Sequence, residues 1–333
     1  MHRKQVRAAA RTAAVGGTLV LGLGIAPAAM AQPPVTVHVP CYPGALAAAI
    51  TGATSGETIV LAPGCVYRLD QALPDVAVDL TIVGYDTELL RDYGAPSFSL
   101  LTIAKGGGCG CGPIIHQDLS AVDLTVVNVD FRNGGGPDDD DGGAIYAPDG
   151  TELTVHGGIF TDNYSDDYGG AIESDDTLTV TGAYFTGNYG YYEGGAIYND
   201  GDATVYNSTF QKNSTGDDDD NYGGAIANED YMQLAGSTFT GNTGEYGGAV
   251  YNDDDMAMTR DSVSANTGYD GGGIYNDWNL TVYGSLIDFN WASDEGGGIY
   301  DWECSSFTLT HSTVYGNVPD NIFYDGDLIG CDI

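Results

Sequence analysis

The sequence predicts an all-β fold: a right-handed parallel β-helix, with three short strands per coil and a short N-terminal capping helix. Three observations predict it. The tetrapeptide Gly-Gly-(Ala/Gly)-(Ile/Val) begins at positions 142, 169, 194, 223, 247, 271 and 296, a period near 25 residues. An apolar-x-x-Asn motif keeps step with it, from Phe160/Asn163 through Phe185/Asn188, Phe210/Asn213, Phe239/Asn242, Val263/Asn266 and Ile287/Asn290 to Val314/Asn317. An apolar-x-apolar motif lies between them, as in Leu153/Val155, Leu178/Val180, Met232/Leu234 and Leu280/Val282. Units in register over this length mark a repeat architecture, in which no unit buries its apolar face alone but stacked units do.

Each apolar patch is short, rich in β-branched or aromatic residues, and bounded by Gly, Asn, Asp or Ser. Three such strands per coil, each paired with its equivalent about 4.8 Å along, make a solenoid. A leucine-rich repeat is close in length, but its Leu-x-x-Leu-x-Leu pattern is missing, and a propeller blade needs about 40 residues. The last residue of each tetrapeptide (Ile145, Ile172, Ile197, Ile226, Val250, Ile274, Ile299) is expected in one interior row. The two glycines permit positive φ at a corner. The recurrent asparagines are expected to stack inward and bond to one another, which satisfies buried polar groups.

The elements follow in order. Residues 1–31 read as a secretory signal: a basic start (Arg3, Lys4, Arg7), an apolar stretch from about 13 to 26, and Ala29-Met30-Ala31 as a small-x-small cleavage site. This predicts a secreted or extracellular location, with cell-surface association open. Residues 32–333 form one domain. Its first part, 32–130, supplies a strand at 35–39, a helix at 44–50 capping the open core, and early strands at 58–61, 80–83, 100–103 and 124–127. The repeats occupy 131–317, and 318–333 cap the other end. Six cysteines in an exported chain favour disulfides. Proximity in sequence suggests Cys41–Cys65 and Cys304–Cys331. Cys109 and Cys111 would close a very small ring or bind a soft metal.

The formal charge is −37, with 47 acids against 10 Lys plus Arg. Nucleic acid is excluded as a partner by the lack of a basic face. An anionic membrane surface would repel the chain, and no second long apolar run points to membrane insertion.

The Gly-Gly-Ala-Ile and Phe-x-x-Asn pair resembles the repeat of polymorphic outer-membrane proteins. Across 35–333 the chain resembles secreted right-handed parallel β-helix repeat proteins, through Cys41…Leu46-x-x-Ala49-Ile50, Thr58-Ile59-x-Leu61-Ala62-Pro63-Gly64-Cys65 and Gly316-Asn317-x-Pro319-Asp320-Asn321. The resemblance implies the fold and a surface or extracellular protein, in a group that includes adhesins.

Acids recur at two places in each unit. One set precedes the glycine pair: Asp138, Asp139, Asp140, Asp141, Asp166, Asp167, Asp217, Asp218, Asp219 and Asp220 among them. The other follows the core residue, with Asp253, Asp254 and Asp255 its densest run. Stacked carboxylates about 5 Å apart repel by about 3 kcal/mol at an effective dielectric constant of ~20. Bound Ca²⁺ would relieve this, since oxygen-rich loops suit Ca²⁺. Solvated loop tips are the alternative reading. Tyr251, Tyr275 and Tyr300 follow the core row and should point outward by alternation. They would form either an exposed strip for stacking on glycan rings or a structural ladder. No catalytic residues are assigned. A polysaccharide lyase or glycoside hydrolase is the alternative to a binding protein. Its bases would come from Arg68, Arg91, Lys105, Arg132, Lys212 and Arg260, for several of which an ion pair is the competing role.

Overall fold

A computed structural model describes residues 35–105, 121–136, 142–217, 221–302 and 306–325. They form a parallel β-solenoid of about 11 turns. The helix Pro43–Gly52 packs its buried Leu46 and Ile50 against the first coils. Pro43 suits the start of this helix because the first helical N–H has no intrahelical partner to lose. The disulfide Cys41–Cys65 links the chain just before the helix to the corner that opens the strand Val66–Leu69, with Cα atoms 5.7 Å apart. Cys304, Cys331, Cys109 and Cys111, the signal segment and the second half of the C-terminal cap lie outside the described residues.

Three faces wind along the solenoid. The first stacks strands such as Glu57–Leu61, Thr151–His156, Thr177–Thr181, Tyr231–Ala235 and Asn279–Tyr283. The second stacks Ile159–Thr161, Tyr184–Thr186, Thr209–Gln211, Thr238–Thr240, Ser262–Ser264, Leu286–Asp288 and Thr313–Tyr315. In the early coils Leu80–Arg91 and Val122–Arg132 run through both faces, and their mutual register shifts between Val83 and Thr87. The third face carries the core row. Leu101 pairs with Ile145, and the row continues through Ile172, Ile197, Ile226, Val250, Ile274 and Ile299 to Ile322. From Ile145 to Ile299 every member is fully buried.

The second face buries the rings of Phe131, Phe160, Phe185, Phe210 and Phe239 as a stack, with centroids 4.6 to 4.9 Å apart. That spacing is the strand separation itself, so the sheet ladder and the ring stack reinforce one another. At the next corner the asparagines form the expected ladder. Asn188 donates through Nδ2 to Asn213 Oδ1 at 2.9 Å and to the Phe160 carbonyl at 3.0 Å, and its backbone N–H donates to the same Oδ1 at 3.1 Å. The pattern repeats through Asn242, Asn266, Asn290 and Asn317.

The two glycines of the tetrapeptide do different work. The first has positive φ in most coils, for example 67° at Gly223 and 74° at Gly247. The second does not. It is held to glycine by close approach, since a Cβ on Gly224 would meet the Gly248 carbonyl oxygen at 2.2 Å.

Candidate functional site

The outer side of the third face is built from packed tyrosines and carboxylates. Tyr146, Glu173, Tyr198, Ala227, Tyr251, Tyr275 and Tyr300 form one outward column, as alternation predicts. Burial favours the structural ladder over the exposed strip: Tyr251, Tyr275 and Tyr300 are 7, 7 and 4 % exposed. A second tier covers them. The residues just before the glycine pairs fold over the column and bridge in their own ladder, Tyr168–Glu193–Tyr222–Tyr246–Asp270. Tyr222 lies 4.6 Å from Tyr251, and Tyr275 is stacked between Tyr251 at 5.7 Å and Tyr300 at 4.8 Å. Rings stacked on neighbours have no free face for a sugar, so these tyrosines serve the structure as a ladder. Burial and neighbouring carboxylates push the phenols of Tyr198, Tyr251, Tyr275 and Tyr300 well above the usual range.

The described acids differ in burial from coil to coil. Asp166 and Asp167 are half-buried, Asp217 is exposed, and Asp138, Asp139, Asp140, Asp141, Asp218, Asp219 and Asp220 lie outside the described residues. Asp253 is buried and accepts from the Tyr251 hydroxyl at 3.3 Å, Asp254 is half-buried, and Asp255 is exposed. Like charges do meet along the column after the core row. Asp175 is raised by burial and by Asp149 and Asp200, and Asp200 by burial and by Asp230 and Asp149. Burial and Asp294, Glu295 and Glu245 push Asp270 up to about 6. Among the described residues no group of three or more His, Cys, Asp or Glu is arranged to hold a metal ion.

Two features were not legible in the repeat. Glu193 and Glu229 come from the two acid positions of different coils and hydrogen-bond to each other. Burial raises both, and neighbouring carboxylates raise them further, Glu229 chiefly through Glu193. Asp261 replaces serine in a column of buried Ser208, Ser237 and Ser285 and half-buried Ser312, whose hydroxyls accept backbone N–H groups from the coil before. Its Oδ1 accepts from the Ser237 N–H at 2.7 Å while Oδ2 is buried without a donor, and burial pushes the carboxyl up to about 7.

A hydrogen-bonded carboxyl pair is the kind of group that acid–base chemistry uses. Glu193 and Glu229 line neither of two open clefts on the early second face. These measure about 310 and 290 Å³, the first around Arg68, Arg91 and Arg132 and the second around Glu88, Asp130 and Ile159. The cations there are engaged: Arg68 with Asp92 at 3.2 Å, Arg132 with Glu88 at 3.7 Å, and Arg91 with the carbonyls of Asn133 and Ala95. Lys105 meets Asp149 at 3.5 Å.

These repeats and this solenoid define a parallel β-helix protein with repeats of the polymorphic membrane protein type. The model of the Chlamydia polymorphic membrane protein (Chlamydia_PMP) repeat matches residues 182–200 and 236–253, and each match spans one Phe-x-x-Asn and one Gly-Gly-Ala-(Ile/Val). No curated protein and no solved structure gives a match. The repeat points to a surface or outer-membrane associated β-helix protein.

Proposed function

We propose that this chain is a secreted or cell-surface β-helix that acts by binding, an adhesin-like protein without a catalytic step, with Ca²⁺ held along its acidic edges. One observation carries the reading. Repeats of a membrane-protein type are laid on a solenoid whose register is kept from Leu101 to Ile322, which turns outward residues into long regular columns. Such surfaces suit an extended partner, a glycan or another cell-surface component, better than a small substrate. The Ca²⁺ part rests on the carboxylate columns and on the acid runs at 138–141 and 217–220.

Two measurements test it. The purified, fluorescently labelled protein should coat intact cells or extracellular matrix saturably. Its melting temperature should rise with Ca²⁺ and fall with chelator. Absence of binding to any surface contradicts the binding reading, and an indifferent melt removes the Ca²⁺. New reducing ends or ultraviolet-absorbing unsaturated products on a polysaccharide panel would instead establish the lyase or hydrolase alternative.

A further inference from the structure

The last coils differ from the rest on the second face. Its first outward column runs Thr209, Thr238, Ser262 and then Leu286. Its second runs Gln211, Thr240, Ser264, Asp288 and then Tyr315. Beyond the corner, Ser214, Thr243 and Thr267 give way to Trp291 and Val318. At the corner itself every coil from Asn133 to Gly316 adopts positive φ, with Asp162, Lys212 and Ala265 among the occupants. Gly187, Gly241 and Gly316 suit it, yet one coil places Phe289 there, at φ 54° and 59 % exposed. A bulky residue in the left-handed region is strained, and an exposed ring returns no core packing for that strain. The result is a contiguous exposed patch of Leu286, Phe289, Trp291, Tyr315 and Val318 on two adjacent coils. Contiguous apolar surface of this kind marks an interaction site.

Two observations point to the occupant. The Phe289 and Tyr315 rings meet edge-on, 5.4 Å apart at 75°, and so form a notch rather than a flat platform for a sugar ring. Beneath Tyr315, which is hydrogen-bonded to it, Asp288 is 6 % exposed with its Oδ1 buried and without a donor. The chain carries −37, so an anionic partner is repelled and a cationic one attracted. A planar guanidinium stacks on aromatic faces and pairs with a carboxylate at the same time.

We propose that this patch docks an arginine-bearing, otherwise apolar segment of a basic partner protein, with the guanidinium entering the notch and reaching Asp288 as the Tyr315 ring swings aside. The inference rests on the binding reading above and names the chemistry of the partner.

Fluorescence anisotropy tests it, using a dye-labelled, amidated peptide of alternating Arg and Leu and the full-length protein at physiological salt. The native protein should bind saturably. The combined Phe289→Gly, Trp291→Thr, Tyr315→Thr variant, and separately Asp288→Thr, should bind about tenfold or more weakly, the size of a lost hot spot. Each change restores a residue type used by other coils, and the glycine relieves φ strain, so the melting temperature should hold or rise. Glu152→Gln, exposed on the first face, should leave binding within about twofold if the site rather than the general field acts. Equal binding by the patch variants overturns the inference, as does preference for cellohexaose over the peptide. Cells coated equally by native and patch-variant protein would defeat the inference alone. A native protein that binds the peptide but coats no surface would defeat the wider reading and leave the patch standing.

Discussion

One asparagine per coil uses its side chain in full inside the protein. Asn213 accepts from the Asn188 N–H and Nδ2 and donates to Asn242 Oδ1 and the Phe185 carbonyl, all at 2.9 to 3.1 Å. Asn213→Ala strands groups on both sides of the gap and should cost about 3–5 kcal/mol in a urea melt, because each buried group left unpaired costs about 1–3 kcal/mol. Asp261 is the opposite case, an acid where the column wants a hydroxyl. Its carboxyl is at about 7 when folded against 3.8 ordinarily, so the folded protein binds more protons between those values. Its contribution is full below about pH 4, is lost as pH rises through about 7, and stays lost above that. Asp261→Ser should therefore stabilise by about 2–4 kcal/mol at pH 8 and change little at pH 4, as read from melts across pH. Nothing in the 25-residue period distinguishes Asp261 from a loop acid. Only the serine column around it does, and that column lies outside the three motifs that carry the period.

At the scale of the element, the third face shows where pattern reading stops. Alternation correctly turned Tyr251, Tyr275 and Tyr300 away from the core row. It could not show that Tyr222 and Tyr246, in loops read as acidic edges, return to cover them, because that tier is held by isolated bridges rather than by an alternating strand. A second amide ladder, Asn199–Asn228–Asn252–Asn276 ending on Asp301, is buried at the end of the same strands at 2.7 to 3.0 Å. Three of these four asparagines follow a tyrosine, but none of the three motifs that carry the period includes them. The covered tyrosines give a direct test. Their phenols are raised, so the folded state keeps protons that the unfolded chain loses near pH 10, and stability must fall as pH climbs past that value. Ultraviolet titration should show one tyrosine population ionising near 10 and a second ionising only together with loss of β circular dichroism. A single population near 10 in the folded protein would contradict the covered tier.

At the scale of the whole molecule, the fold was legible because a solenoid converts period into position. Motifs 24 to 29 residues apart are neighbours in space through the described coils. The early coils were legible as strands but not as the long bent strands Leu80–Arg91 and Val122–Arg132, because no motif marks their corner. The full chain carries −37, and four of its ten basic residues lie in the first eleven positions, so the large excess of acid on the stack should make stability depend on ionic strength. Raising salt from about 0.02 to 0.5 M should raise the melting temperature, since the Debye length falls from about 20 to about 4 Å. A melt indifferent to salt would mean that the carboxylate columns are already neutralised, by protons or by bound cations.

The solenoid sets equivalent residues of successive coils side by side. Thr179 and Thr204 are partners on the outer side of the first face, and Gln233 lies one coil further along the same row. Adjacent strands lie about 4.8 Å apart, within reach of a disulfide, while two coils span about 9.6 Å and are beyond it. Under mild oxidation, Thr179→Cys with Thr204→Cys should form a bond detectable by mass spectrometry of proteolytic fragments, and Thr179→Cys with Gln233→Cys should not. No bond in the first pair, or equal bonding in both, would contradict the stacked register.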